Sequence, residues 1–275
     1  MAYLLGHLKH SNPDHKALLK LEKAAFEDAM LSTFNASESI LSSLLISTAE
    51  TTHNFTLELS STFSTVICEF IYPAPPYLLA NNTHQSKHLI KETQDMYEAI
   101  AKPLYIDKKP VQEIEWIYNI LQCKKEIELT VFRNELFTLQ LDFMYNHKDL
   151  ETLYLLAIPI QRDLTCIRDL RGKHIPLLKS IKSNSYAAIQ SRFNLPPSQI
   201  IAVFNYHPTY YHLHIHFAHV NMSERMGLEI GRGIGLTDAI ENLKLDGAYY
   251  LKKSLSVGLG EGHELHRVYK ENGVI

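Results

Sequence analysis

The sequence predicts an α+β fold in which helices pack on antiparallel strands, and three segments carry this prediction. Residues 137–143 alternate between apolar and polar side chains, which is the period of a strand with one buried face. Residues 153–160 are continuously apolar, as in a strand that is covered on both faces. Residues 175–193 instead repeat apolar side chains at the spacing of an amphipathic helix, and Pro196 and Pro197 follow it.

Two domains are predicted on either side of a polar linker. Residues 55–71 favour β-branched and aromatic side chains and indicate a strand, and the proline-rich segment 72–76 then interrupts regular structure. Residues 81–86 are polar and form the candidate linker. We therefore expect a smaller N-terminal domain at 1–80 and a larger C-terminal domain at 87–275.

The remaining elements of the C-terminal domain follow from the same patterns. Apolar residues four apart, such as Trp116 and Ile120, indicate helices, while apolar and β-branched runs indicate strands. A Thr before an apolar stretch is a helix cap. The predicted elements are helices at 89–102, ending at Pro103, and at 111–121; strands at 200–204 and 211–220, the latter being the last clear strand; a turn at 206–209; and a helix from Thr237 to Leu243.

The composition limits the classes of partner. A net charge of -3 over 275 residues gives no long-range attraction to nucleic acid, so a polyanionic ligand must be held locally and DNA is not an expected partner. The three cysteines are far apart and form no CxxC pair, which indicates a reducing compartment, the cytoplasm or the nucleus, and disfavours a cysteine zinc site. We expect no secretory signal and no membrane partner, because apolar runs are short.

The segment Tyr211-His-Leu-His-Ile-His-Phe217 carries the chemistry. On a strand, His212, His214 and His216 would project from one face while the apolar residues between them are buried on the other. Three adjacent imidazoles repel one another when charged and need hydrogen-bond partners when neutral. Such a row therefore calls for an explanation.

Three explanations remain open at this point. The row could be a solvated polar face in a chain with 15 histidines, or a site for zinc or iron, although no carboxylate lies at a recognisable spacing. The third explanation is a nucleophilic histidine supported by two others. Imidazole attacks phosphorus well and leaves readily, so a covalent phosphoramidate divides one difficult displacement into two easier ones.

The His-x-His-x-His motif resembles the signature of the histidine-triad superfamily. The longer string from Asn205 to Phe217, Asn-Tyr-His-Pro-Thr-Tyr-Tyr-His-Leu-His-Ile-His-Phe, resembles the scavenger mRNA decapping branch of that superfamily. The resemblance extends over roughly residues 87–250. Other segments that share it lie at 116–121, 153–158, 167–170 and 239–243.

The resemblance implies an activity and an assembly. Enzymes of this branch hydrolyse the residual 5′ cap of mRNA, m7GpppN or a short capped oligonucleotide, to 7-methylguanosine monophosphate and a nucleoside diphosphate. It implies His214 as the nucleophile, with His212 and His216 in support, and no metal or other cofactor. It further implies a histidine-triad C-terminal domain and a homodimer, whose N-terminal region is exchanged between subunits and closes over the active site.

The resemblance also assigns substrate contacts. 7-Methylguanine is cationic and stacks on an electron-rich ring, and its N1 and N2 hydrogens suit a carboxylate. Trp116, the only tryptophan, is implied as that ring and Glu126 as the carboxylate. The alternatives without a binding role are that Trp116 anchors the core and that Glu126 is a solvated residue at a helix end. The further ligand contacts implied are Asp142, Tyr154, Asn205, Thr209, Tyr210 and the phosphate-contacting Arg232.

Three positions depart from the family pattern. Met144 stands where the family has a lysine, Asn205 where it has a histidine, and Asn81 is the nearest match to a basic residue of the N-terminal region. Less positive charge beside a triphosphate should weaken binding or slow turnover. Two alternatives follow: a histidine-triad hydrolase of another dinucleoside polyphosphate, or a weakly active cap-binding regulator.

Overall fold

The computed structural model describes residues 2–9, 12–22, 34–49, 52–60, 66–74, 86–142, 145, 149–222 and 233–275. The chain divides into two compact units. Unit 1 comprises Met1–Ser86 and Gly262–Glu264, and unit 2 comprises Lys87–Glu261 and Leu265–Ile275. Within these described ranges no helix is both long enough and apolar enough to span a bilayer.

Unit 1 contains an antiparallel five-stranded sheet in the order β1-β2-β5-β4-β3. Leu18, Leu21, Leu57, Cys68 and Ile71 are buried in it. A short helix, whose first turn is capped by a side chain at position 35, leads into β3. The elements are β1 (Ala2–Gly6), β2 (Ala17–Glu22), α1 (Ala36–Ser39), β3 (Ile40–Ala49), β4 (Thr52–Leu59) and β5 (Val66–Ile71).

The prediction of one strand over residues 55–71 is wrong, because this segment contributes to two strands. β4 and β5 pair antiparallel, with Phe55 opposite Cys68. The apolar pattern stops at Ser60, and residues 60–65 are mostly Ser and Thr, which favour a chain reversal over an extended strand.

The edge strand β3 carries a row of exposed apolar side chains. Leu41, Leu44, Leu45 and Ile46 are 52–68% exposed. Among the described strands, β3 pairs with β4 alone and lies at the edge of the sheet. An exposed apolar edge strand is a surface on which another chain can pair.

Unit 2 is built on a six-stranded antiparallel sheet in the order β12-β10-β11-β9-β8-β7, so a mixed α+β architecture with antiparallel sheets is confirmed. A separate two-stranded sheet pairs β6 with β13. The strands are β6 (Lys87–Glu92), β7 (Thr130–Arg133), β8 (Phe137–Leu141), β9 (Tyr154–Pro159), β10 (Ile200–Asn205), β11 (Ile215–His219), β12 (Gly233–Gly235) and β13 (Leu255–Gly260).

Helices of unit 2 include the predicted 175–193 helix, which is confirmed as Ile175–Phe193. It buries Leu178, Ile181, Ser185 and Ile189, spaced along one face, and it ends at Asn194 in the left-handed conformation. The prediction for 111–121 is also confirmed, as a 3-10 turn followed by an α-helix. The helices are α2 (Gln94–Met96, continued by a π turn at Tyr97–Ala101 and by Lys102–Leu104), α3 (Glu115–Leu121), α4 (Ile175–Phe193), α5 (Leu236–Leu245), α6 (Tyr249–Lys252) and α7 (Glu264–Glu271).

The helix predicted at 89–102 is partly wrong. Residues 87–92 form β6, in which Leu89 is exposed and Ile90 is buried, as alternation requires. The helix begins only at Gln94, where the Thr93 hydroxyl accepts from the Met96 amide. It runs past Pro103 to residue 104, in a short α-helical turn that follows the π turn and has the proline at one of its first positions.

Two predicted strands are also corrected. β8 is buried on both faces instead of one. Its polar side chains donate within the protein: Thr138 to the Phe132 carbonyl and the Gln140 amide nitrogen to the Glu126 carbonyl. The strand predicted at 211–220 begins only at Ile215, and β12 and β13 follow it.

The remaining strand predictions hold, and one helix start differs. The strands at 153–160 and 200–204 are confirmed as β9 and β10. α5 begins one residue before Thr237 and runs to Leu245, and its N-cap residue is Gly235, so Thr237 is not the cap. Residues 75–80 and most of the predicted linker at 81–86 lie outside the described residues.

Candidate active site

The three histidines of the motif lie where the chain enters β11, the strand between β9 and β10. His216 is on β11, but His212 and His214 precede it in an irregular segment, so the expected row on one strand face is wrong. The side chains still come together, with 4.9 Å between the ring centroids of His214 and His216. All three are buried, which disfavours the solvated polar face.

The tautomer of His214 is fixed by the backbone. Its Nδ1 lies 2.7 Å from the carbonyl oxygen of His212. Because a carbonyl only accepts, Nδ1 carries the proton and Nε2 keeps its lone pair. Burial lowers the pKa of His214 to about 4, so the ring is neutral near pH 7. A neutral imidazole with Nε2 unprotonated is the form that a nucleophile requires.

Each of the flanking histidines has a hydrogen-bond partner that positions its ring. His212 Nε2 donates to the carbonyl oxygen of Pro159 at 2.9 Å, and burial lowers the pKa of His212. The Tyr154 hydroxyl lies 2.8 Å from His216 Nδ1. Tyr154 is thereby tied to the histidine cluster across the β9–β11 pair.

An aromatic series connects His214 to the protein surface. The Tyr210 ring stacks on His214 with 4.1 Å between centroids, and Trp116 meets Tyr210 edge-on at 5.1 Å. Trp116 is 38% exposed, unlike a core anchor, and its indole nitrogen donates to the Glu113 carbonyl. The exposed Trp116 ring is therefore connected to the candidate nucleophile through contacts with a single tyrosine, Tyr210.

Glu126 lies in the turn after α3, in the left-handed backbone conformation. Its position is fixed by Gln140, whose side chain donates to the Glu126 carbonyl at 2.9 Å. Partial burial and the neighbouring Glu128 raise the pKa of Glu126. The side chain is exposed, and its carboxylate can accept hydrogen bonds from a ligand.

Three further ligand contacts implied by the sequence lie on the segments after β8 and at the end of β10. Asp142 follows β8, and its amide donates to the Tyr154 carbonyl at 2.9 Å. Thr209 is exposed on the loop after β10. Asn205, at the end of β10, lines a small cleft together with His214, and its Oδ1 has no hydrogen-bond partner in the described part of the chain. The same holds for the Tyr210 hydroxyl and for His212 Nδ1.

Buried polar atoms that the protein itself does not satisfy are unusual. Three of the residues with such atoms, Asn205, Tyr210 and His212, lie next to His214, where polar groups of a ligand can pair with them. Arg232, Met144 and Asn81 lie outside the described residues. Over the ranges that are described, no group of three His, Cys, Asp or Glu side chains is arranged to hold a metal ion.

Sequence reasoning missed one cluster next to this site. Glu92 is fully buried and contacts Arg168, Tyr206, His207 and Tyr269. Its partners lie 76 to 177 residues away along the chain, so no local pattern could have indicated the cluster. Arg168 lies inside the 167–170 segment, and Tyr206 and His207 lie inside the string from Asn205 to Phe217, but no role was assigned to any of the three from the sequence.

The comparisons with known proteins agree on one family. The family profile described as "Scavenger mRNA decapping enzyme C-term binding" matches residues 115–230. Proteins named m7GpppX diphosphatase are similar over most of the chain. The one from Caenorhabditis elegans is 32% identical over 222 residues, which are 79% of this chain and 70% of that protein.

Relatives from a mammal and a yeast carry the same name. The m7GpppX diphosphatase of Sus scrofa is 31% identical over 272 residues, 94% of this chain and 77% of that protein. The one from Schizosaccharomyces pombe is 30% identical over 256 residues, 90% of this chain and 84% of that protein.

Proposed function

This chain belongs to the family of scavenger mRNA decapping enzymes, and we propose that it hydrolyses m7GpppX caps through a covalent intermediate on His214. The observation that carries the mechanism is the hydrogen bond from His214 Nδ1 to the His212 carbonyl. This bond keeps Nε2 unprotonated, and burial keeps the whole ring neutral.

The reaction proceeds in two displacements. His214 Nε2 attacks the phosphorus next to the methylated nucleoside, the bond from that phosphorus to its bridging oxygen breaks, and the nucleoside diphosphate leaves. Water then attacks the same phosphorus, the phosphorus–nitrogen bond breaks, and 7-methylguanosine monophosphate and neutral His214 are released. Each displacement is easier than a direct attack by water.

The surrounding residues take supporting roles in this proposal. The Tyr210 hydroxyl and Thr209 donate to phosphate oxygens, and Arg232 supplies a fixed positive charge. Trp116 stacks on the cationic base, and Glu126 accepts from its N1 and N2 hydrogens. Tyr154 orients His216 through their hydrogen bond, and Asp142 is a further ligand contact.

Product analysis tests the proposed function. The protein is incubated with m7GpppG, with GpppG and with ApppA, and the products are separated. We expect 7-methylguanosine monophosphate and GDP from the methylated cap, formed faster than products from the other two. Preferred cleavage of ApppA would favour a different dinucleoside polyphosphate as substrate. Tight binding of m7GpppG with negligible turnover would favour a cap-binding regulator.

The acid limb of the pH profile should lie unusually low. Protonation of Nε2 removes the nucleophile, and the pKa of His214 is lowered from an ordinary 6.5 to about 4. The neutral ring therefore persists well below pH 6.5, and kcat/KM for m7GpppG, which reports the free enzyme, should show no fall centred near pH 6.5. Circular dichroism at each pH would verify that the chain is folded. A half-maximal value near pH 6.5 would contradict this assignment.

A lysine at position 144 should tighten binding of the triphosphate-bridged ligand. Met144 lies two residues beyond Asp142, and on an extended chain the two would share a face. We expect Met144→Lys to strengthen m7GpppG binding by about 1 kcal/mol or more, the scale of a charge-assisted hydrogen bond. The gain should shrink as salt is raised, because exposed charges are screened. Titration calorimetry at two salt concentrations, with an m7GpppG analogue in which a methylene group replaces the cleaved bridging oxygen, measures it.

The control for this change is a substitution by an uncharged residue. Met144→Gln has similar length without charge and should give much less tightening. Unchanged affinity of Met144→Lys at low salt would mean that position 144 does not face the ligand, or that another basic residue already fills this role.

The proposal extends to assembly. Two copies form a homodimer in which the N-terminal domain, residues 1–80, is exchanged between subunits. Its support is the family resemblance and the exposed apolar row on the edge strand β3. Sedimentation equilibrium should give twice the chain mass of 31.5 kDa. Replacement of Leu44 and Ile46 by Lys should shift the protein towards monomer, and an unchanged dimer would place the interface elsewhere.

A further inference from the structure

A buried carboxylate lies at the base of the loop that carries Thr209 and Tyr210. Glu92, the last residue of β6, is fully buried. Its Oε1 accepts from Arg168 Nη2 at 2.7 Å and from the Tyr206 hydroxyl. Its Oε2 accepts from His207 Nε2 at 2.7 Å and from the Tyr269 hydroxyl. One carboxylate therefore joins β6, the turn at 167–169, the end of β10 and helix α7.

The Glu92 carboxylate is ionised, and its negative charge is compensated by neighbouring groups. Burial alone would raise the pKa of Glu92, but His207, Tyr206 and Tyr269 lower it to about 2. Arg168 supplies the buried counter-charge and is itself held by the backbone carbonyls of Tyr250 at 3.0 Å and Glu92 at 3.1 Å. A buried ion pair with all its donors used is rigid, because breaking any contact leaves an uncompensated charge or dipole.

This network holds both ends of the loop. Tyr206 and His207 open the loop, and their rings stack with 4.0 Å between centroids. His207 Nε2 donates to the carboxylate, and its Nδ1 lies 3.0 Å from the Tyr211 hydroxyl at the far end of the loop. Between these ends lie Pro208, Thr209 and Tyr210.

We propose that Glu92 is a positioning residue that sets the 206–211 loop, through Tyr206 and His207, so that Tyr210 and Thr209 meet the reacting phosphate beside His214. The inference rests on the proposed function. Tyr210 already stacks on His214 at 4.1 Å, so a shift of the loop changes the surroundings of the nucleophile directly. Small displacements of positioned groups lower turnover strongly, while binding contacts elsewhere persist.

Matched variants separate positioning from stability. Tyr206→Phe and His207→Phe each remove one donor to Glu92 from the loop. Tyr269→Phe removes an equivalent hydroxyl donor to the same carboxylate from helix α7, outside the loop. The melting temperatures of the three variants, kcat for m7GpppG and the dissociation constant for 7-methylguanosine monophosphate are measured.

We expect similar losses of melting temperature in all three variants. The two loop variants should lose tenfold or more in kcat, whereas Tyr269→Phe should lose less than threefold. The dissociation constant should change less than threefold, because base recognition is assigned to Trp116 and Glu126. His207→Gln keeps a donor for the carboxylate and should recover most of the turnover that His207→Phe loses.

Two results would overturn the positioning role: an equal loss of kcat in Tyr269→Phe, or loop variants that lose stability but keep wild-type kcat. The failure of the proposed function has a different signature, since the wild-type protein would then not cleave m7GpppG at all. If the wild-type protein cleaves m7GpppG and the two loop variants keep the wild-type kcat, only the positioning role is rejected.

Discussion

His214→Asn should lower turnover of m7GpppG by at least about a thousandfold, the loss expected when a covalent nucleophile is removed. Asparagine is close in size to histidine, and its amide can still donate a hydrogen bond to the His212 carbonyl. It cannot supply the unprotonated Nε2 that attacks phosphorus. Binding of the cap should largely survive, because the proposed base contacts at Trp116 and Glu126 are not altered. Single-turnover kinetics and titration calorimetry measure the two effects separately.

A matched control is available five residues along the chain. His219, on β11, is buried like His214, and its Nδ1 accepts from the Asn221 amide, but it is not part of the histidine cluster. His219→Asn therefore removes a buried imidazole without removing the proposed nucleophile, and its turnover should stay within about tenfold of wild type. Near-normal turnover of His214→Asn would make the proposed mechanism wrong.

Trp116→Ala should weaken binding of 7-methylguanosine nucleotides by about 1–3 kcal/mol, the contribution of one stacked base. The indole ring is 38% exposed and edge-on to Tyr210, so the substitution removes ligand surface more than core packing. Glu126→Ala should weaken the same ligands, because the N1 and N2 hydrogens of guanine lose an acceptor. Fluorescence or calorimetric titration gives the dissociation constants.

Nucleotides with a different base serve as the control for both substitutions. Adenosine nucleotides lack the cationic methylated ring and the guanine edge, so their affinity should fall less in both variants. Equal losses for 7-methylguanosine and adenosine nucleotides would show that Trp116 and Glu126 support the fold and not a base pocket.

Elements with a strong local pattern could be predicted from the sequence. The continuous apolar run of β9 and the helical spacing of α4 each leave few alternatives. β6 could not be predicted in this way, because its strand state depends on pairing with β13, which joins Leu89 to Gly258. The burial of Thr138 on β8 likewise depends on partners, here the Phe132 carbonyl, that no alternation pattern reveals.

In the candidate site, too, local sequence features could be predicted, and features that depend on the folded chain could not. The spacing of the three histidines and the motif around them could be found in the sequence, together with the family. The neutral tautomer of His214 could not, because it depends on a backbone carbonyl and on burial. The anchor at Glu92 joins Arg168, His207 and Tyr269 across the whole of unit 2, so only the folded chain reveals it.

The stereochemistry at phosphorus tests the covalent mechanism most directly. An m7GpppG analogue that carries a single chiral phosphorothioate next to the methylated nucleoside is hydrolysed in 18O-labelled water, and the configuration of the product monophosphorothioate is determined. Two successive displacements at one phosphorus, first by His214 and then by water, predict retention of configuration with one 18O in that product. Inversion would show a single direct attack by water and would contradict the nucleophilic role of His214.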